Sequence, residues 1–276
     1  MSDQAFTVQD PIMRLVGRER VIIWGGIVAV TGLAWLYLIA LARGMSAQGV
    51  GGGMVDMPGM RPLLAPWTTT DVLFTVWMWA AMMVGMMLPA AAPMIALFAA
   101  LNQCRRSEAS VAVPTGIFVL GYLLVWTAFS VGAALVQWAL HTMALLSPAM
   151  ATTSPRIGGA ILIAAGVYQL TPLKTVCLTH CRSPLGFLMT GWHEGRGGAL
   201  WMGVHHGVYC LGCCWVLMGL LFVTGVMNLL WVAVIAAFVL AEKVGPAGVL
   251  IGRVASALMI LAGLILLGEG MRIGGV

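Results

Sequence analysis

Five of the six cysteines fall between positions 177 and 214, at spacings that suit ligands on helices. Cys177 and Cys181 are four residues apart, with His180 between them. Cys210, Cys213 and Cys214 follow His206. On a helix of 3.6 residues per turn, each set shares one face. Met202 and Met218 extend the second stripe, and Gly203 and Gly207 form a GxxxG step that lets a neighbouring helix come close. Thiolates are soft ligands, so Cu(I) is the first choice of metal and Zn(II) the second. Helical spacings of this kind suit a shared metal better than a strain-free disulfide. Inert buried cysteine is the plain alternative. Redox thiol chemistry is another, with Lys174 one turn before Cys177 as the nearby cation. Haem ligation by His205 or His206 lacks a facing histidine, since His141 belongs to the opposite end of the molecule.

Methionine adds a second soft-ligand signal, with 20 in 276 residues. Met54, Met57 and Met60 form an MxxMxxM array beside Asp56, in a Gly-rich stretch unsuited to a packed helix. Met78, Met82 and Met86 share one helical face, and Met83 and Met87 repeat the step one residue round. These pairs resemble the Met pairs lining eukaryotic copper-uptake channels. The alternative is methionine as adaptable packing. Pro89 and Pro93 follow and are expected to kink or loosen the helix. His193 and Glu194 are second-site candidates in what reads as a solvated loop. Glu242 and Lys243 read as a surface pair, and Cys104, beside Arg105 and Arg106, as peripheral.

The elements that must position these residues are membrane helices. Apolar residues make up 61% of the chain and charged ones 8%, too few to cover a soluble surface. A soluble enzyme and a disordered protein are excluded. The scattered Lys and Arg are topology signals instead of a nucleic-acid surface. The fold class expected is an all-α polytopic transmembrane bundle. About seven spans are predicted, near 21–42, 72–101, 113–140, 157–178, 199–224, 227–243 and 246–268. Residues 1–20 form a cytoplasmic segment, 21–42 an uncleaved anchor, 43–70 an outer Gly/Met-rich loop, and 71–276 a six-helix core. A tight turn near Gly225 joins the fifth and sixth spans, and Pro246 suits the first turn of the seventh. Arg14, Arg18, Arg20, Arg105, Arg106, Lys174, Arg182, Arg196 and Lys243 lie on one side, against Arg43, Arg61, Arg156 and Arg272 on the other. That bias gives N-in, C-out. The stretch 179–198 becomes an inner loop, and the reducing cytosol beside it argues against a structural disulfide. Gln169, Leu173, Cys177 and Cys181 share a face if the fourth helix runs on past Lys174.

Taken together, MWAAMMVGMMLPAAAPM, YQLTPLKTVCLTHCRSPLGF and GVHHGVYCLGCCWVLM resemble a bacterial family of predicted metal-binding integral membrane proteins of unassigned function. The resemblance covers roughly 70–268. It implies an inner-membrane location and a metal, with ligands at Cys177, Cys181, Cys210, Cys213 and Cys214. The function expected is binding and transfer of a soft metal, Cu(I) before zinc: uptake, retention, or delivery to a membrane partner or metallochaperone. No nucleotide loop or phosphorylated-Asp signature is present. The alternatives are a membrane thiol oxidoreductase and a non-catalytic subunit of a larger complex.

Overall fold

The computed structural model describes residues 17–50, 67–105, 112–143, 145 and 154–273. Every regular element among them is an α-helix: α1 (Gly17–Val50), α2 (Thr69–Arg105), α3 (Ala112–Thr142), α4 (Pro155–Gln169), α5 (Pro172–Arg182), α6 (Pro184–Thr190), α7 (Gly195–Gly219), α8 (Leu221–Thr224), α9 (Leu229–Val244) and α10 (Gly248–Ile273). Among the described residues, five helical stretches are long and apolar enough to cross a membrane: α1, α2, α3, α7 with α8, and α10. A sixth appears if α4 and α5 count as one broken span. The segment expected as the sixth span, α9, has 16 residues.

α2 is the central element. In its most apolar window 78% of residues are buried, against 22% in α1 and 17% in α10. The outer helices turn apolar side chains outward, with Leu33 on α1, Leu120 on α3 and Leu258 on α10 all more than half exposed. Polar side chains do the opposite: Ser130, Gln137, Lys174 and Glu242 are buried. Trp79 on α2 donates to Gln137 on α3 at 2.6 Å. α2 runs as one helix through Pro89 and Pro93. Pro89 has no N–H for the Gly85 carbonyl four residues back. Trp35 of α1 supplies the missing donor, its Nε1 lying 3.2 Å from Gly85 O. An unsatisfied carbonyl in an apolar medium is thereby avoided.

Close backbone approach fixes the remaining pairs. A Cβ on Gly203 would land on Phe118 O, and one on Gly121 on Leu200 O. The expected GxxxG step thus meets a glycine of α3. α4 and α10 meet in the same way at Gly159 and Gly263, where an added Cβ on either would lie 2.7 Å from the other's carbonyl oxygen.

Four expectations need correction. The fourth span does not run straight past Lys174: α4 and α5 meet at 62°. Pro172 cannot continue the ladder, and Thr171 becomes the N-cap of a new helix, its side chain accepting from Lys174 N at 3.3 Å. Gln169 and Cys177 therefore share no continuous face. The inner loop expected at 179–198 is largely helical: α6 starts at Ser183-Pro184, with proline in its first turn but no side-chain cap bond from Ser183. α1 continues past Ala42 to Val50, taking up the first part of the expected outer loop. Pro246 lies in the turn before α10 and not in its first turn. The turn at Gly225 stands as expected, with φ 93°, a left-handed value that glycine adopts freely.

Candidate metal centre

Cys210 sits at the middle of a buried polar cluster. Its Sγ receives a hydrogen bond from Lys243 Nζ of α9 at 2.8 Å. Tyr122 of α3 brings its hydroxyl to 3.1 Å from the same sulfur and to 3.0 Å from Met87 O of α2. The thiol of Cys181 on α5 is within hydrogen-bonding reach of both Cys210 and Cys213. Cys213 and Cys214 each donate to Cys210 O, at 3.1 and 2.9 Å, and Cys214 Sγ lies 3.9 Å from Met87 Sδ. Four helices and α5 thus deliver four thiols, one thioether, one phenol and one ammonium to one point.

The local sequence explains the convergence. The α7 face carrying Met202, His206, Cys210, Cys213, Cys214, Leu217 and Met218 is buried along its length, as the helical spacing predicts. The break at Pro172 then aims α5 at α7. Gly212 leaves room beside it, since a Cβ there would lie 2.8 Å from Cys177 Sγ. Arg182 anchors the end of α5 by donating to Glu242 O at 2.9 Å, a carbonyl in the last turn of α9, and to Gly245 O at 3.0 Å just past it.

The electrostatics differ from the expectation. Glu242 and Lys243 are not a surface pair; they are 3% and 7% exposed. Lys174, expected beside Cys177, is instead ion-paired with Glu242. With the carboxylate so engaged, the partner of the Lys243 ammonium is Cys210. An ammonium buried in an apolar medium needs a compensating acceptor. Sequence reasoning missed Lys243 and Tyr122. The available signal was two adjacent charges closing an apolar helix too short to hold them at a surface.

The remaining sequence candidates divide clearly. Met78, Met82, Met83, Met86 and Met87 are all at most 2% exposed, so none faces outward. Cys177 lies on the flank of the cluster, against Gly212. His206 is 3% exposed, stacks on Tyr122 at 5.6 Å and leaves its Nδ1 buried without a hydrogen-bond partner. His180 does not join the thiols; its ring lies on Tyr209. Met54, Met57 and Met60 lie outside the described residues, as does the Cys104 side chain. Among the described residues no three His, Cys, Asp or Glu side chains already form a metal cage; Cys213 and Cys214 turn their S–H groups to the Cys210 carbonyl.

No curated protein and no solved structure matches the chain. A family model described as PpoB2, copper chaperone, matches residues 76–266. The match covers well over half of the chain and takes in Met78 to Met87, all five clustered cysteines, Tyr122 and Lys243. The family so identified handles copper, which is the metal that the soft donor set favours on chemical grounds, and the chain belongs to this PpoB2 copper-chaperone family.

Proposed function

We propose that the protein is a multi-pass chaperone of the bacterial inner membrane that holds Cu(I) at Cys210 and its neighbouring thiols and passes it to a membrane partner or soluble metallochaperone. Copper is the cargo, not a resident cofactor. The observation carrying this reading is the Cys210 cluster, in which the Cys210 sulfur faces the Lys243 ammonium, Cys181 of the neighbouring helix reaches Cys210 and Cys213, and the Met87 thioether lies against Cys214.

Charge balance fits a monovalent metal. Two thiolates around one Cu(I) leave one negative charge, and Lys243 neutralises it. The same pair around Zn(II) would leave the buried site with a net positive charge, so zinc is the second choice. From Met87 the thioethers continue to Met78, a rise of about 14 Å along α2. Thioethers bind Cu(I) more loosely than thiolates, so this row serves as the approach from the outer face. Met54, Met57 and Met60 would collect the ion there. The outward-facing leucines and valines of α1, α3 and α10 suit contact with lipid, and the Lys/Arg bias, seven against four with the buried Lys174 and Lys243 set aside, favours an inner N-terminus. No catalytic role is assigned.

The test is metal content. Protein purified anaerobically and loaded with Cu(I) is expected to retain copper. A Cys210→Ser, Cys213→Ser double variant is expected to lose it, and Cys104→Ser to keep it. Equal copper and zinc binding by the parent and the double variant would refute the reading.

A further inference from the structure

Two imidazoles of the structure stand outside the thiol centre, in a pocket of about 480 Å³ between α5, α6 and α7. His180, His205, Tyr209 and Phe187 line it, with the hydroxyls of Thr179 and Ser183. The His180 ring lies on Tyr209 with centroids 4.2 Å apart and planes 2° apart. His205 packs on the same phenol ring at 5.0 Å. His180 Nδ1 is 2.9 Å from Val176 O. A carbonyl only accepts, so Nδ1 carries the hydrogen and the neutral ring keeps its lone pair on Nε2. Metal-binding histidines are commonly oriented in this way, by donating the other ring N–H to a backbone carbonyl.

The pocket and the thiol centre are back to back. On α5, Cys181 reaches Cys210 and Cys213 while its neighbour His180 lines the pocket. On α7, His206 and Cys210 are buried while His205 and Tyr209 line the pocket. One residue of chain separates the two environments at three places. Cys181 is less buried than Cys210, Cys213 and Cys214, and so lies on the side from which an ion would leave.

We propose that this pocket is an exchange port for Cu(I), in which His180 and His205 relay the ion between Cys181 and a soluble thiol- or imidazole-bearing acceptor or donor. The inference rests on the copper reading above. Imidazole is a suitable ligand for copper, and Cu(I) is content with two donors. On release, the Cu–S bond to Cys181 breaks as Cu–N bonds form. Copper stays Cu(I), and the freed sulfur takes up the proton it lost on loading.

The experiment follows transfer of Cu(I) from the loaded, full-length protein in detergent to bicinchoninate, whose Cu(I) complex is coloured. A His180→Gln, His205→Gln double variant is expected to transfer at least tenfold more slowly while holding the same copper per chain at equilibrium. His141→Gln, far from the pocket, is expected to match the parent. If the double variant differs from the parent in melting or gel filtration, His205→Gln alone decides. That side chain is exposed, and at least a threefold slowing is expected. Retained copper with a transfer rate within twofold of the parent overturns the port alone. A parent that retains no Cu(I) overturns the chaperone reading, and the port with it.

Discussion

At the scale of single residues, Lys243 carries the sharpest consequence. Its ammonium donates to Cys210 at 2.8 Å, while Glu242 is occupied by Lys174. Lys243→Met keeps bulk and apolarity but leaves a two-thiolate Cu(I) centre with an uncompensated buried charge. Such a charge is costly in a low dielectric. Cu(I) affinity, measured by chelator competition, is expected to fall at least tenfold. Tyr122→Phe removes a neutral hydrogen bond worth about 1 kcal/mol, so a smaller loss is expected from it. The cysteines were legible in the sequence because helical spacing alone places 206, 210, 213 and 214 on one face. Lys243 was not, because its role depends on α9 packing against α7, and no local pattern records that contact. His180 stands among the candidate ligands in the sequence, and in the structure its ring lies on Tyr209. Adjacent helical residues point about 100° apart, and only the docking on α7 decides which of His180 and Cys181 faces the thiols.

At the scale of elements, glycine contacts and charge pairs hold the helices in register. Gly203→Ala would push a methyl group into Phe118 O, forcing α3 and α7 apart. A loss of about 1–3 kcal/mol is expected from such overpacking, read as a lower melting temperature in detergent. Glu242→Gln would strand the Lys174 ammonium, which is 2% exposed. Breaking a buried pair from one side costs about 3–5 kcal/mol, so this variant is expected to melt lower than Gly203→Ala. The long helices were readable from hydropathy, because an apolar run of this length has one stable conformation in lipid. The break at Thr171-Pro172 was written in the sequence as an N-cap followed by proline, and so was the start of α6 at Ser183-Pro184. Both were overridden there by the apolar run around them. Pro89 and Pro93 have the opposite outcome. The helix survives them, and the Trp35 bond to Gly85 O is a tertiary compensation that no local rule anticipates.

At the scale of the whole molecule, the orientation proposed from Lys and Arg can be tested by accessibility. In a cysteine-free background, Met57→Cys is expected to react with an impermeant thiol reagent in spheroplasts, and Thr190→Cys only after permeabilisation. Reaction of Thr190→Cys from outside would reverse the topology. Changing Met54, Met57 and Met60 together to leucine is expected to weaken copper capture at the outer face while insertion proceeds normally. Unchanged capture would return that loop to ordinary sequence.

The charge pairing around α9 also dictates an order of assembly during synthesis. Lys174 must wait for a carboxylate 68 residues later in the chain, and Cys210 for an ammonium 33 residues later. In a bilayer, Lys174 would lack its partner until α9 docks, at a cost of about 2.5–3.5 kcal/mol on insertion scales. A chain that stops short of α9 lacks the carboxylate that neutralises Lys174. The Cys210 cluster is complete only when α9 has docked.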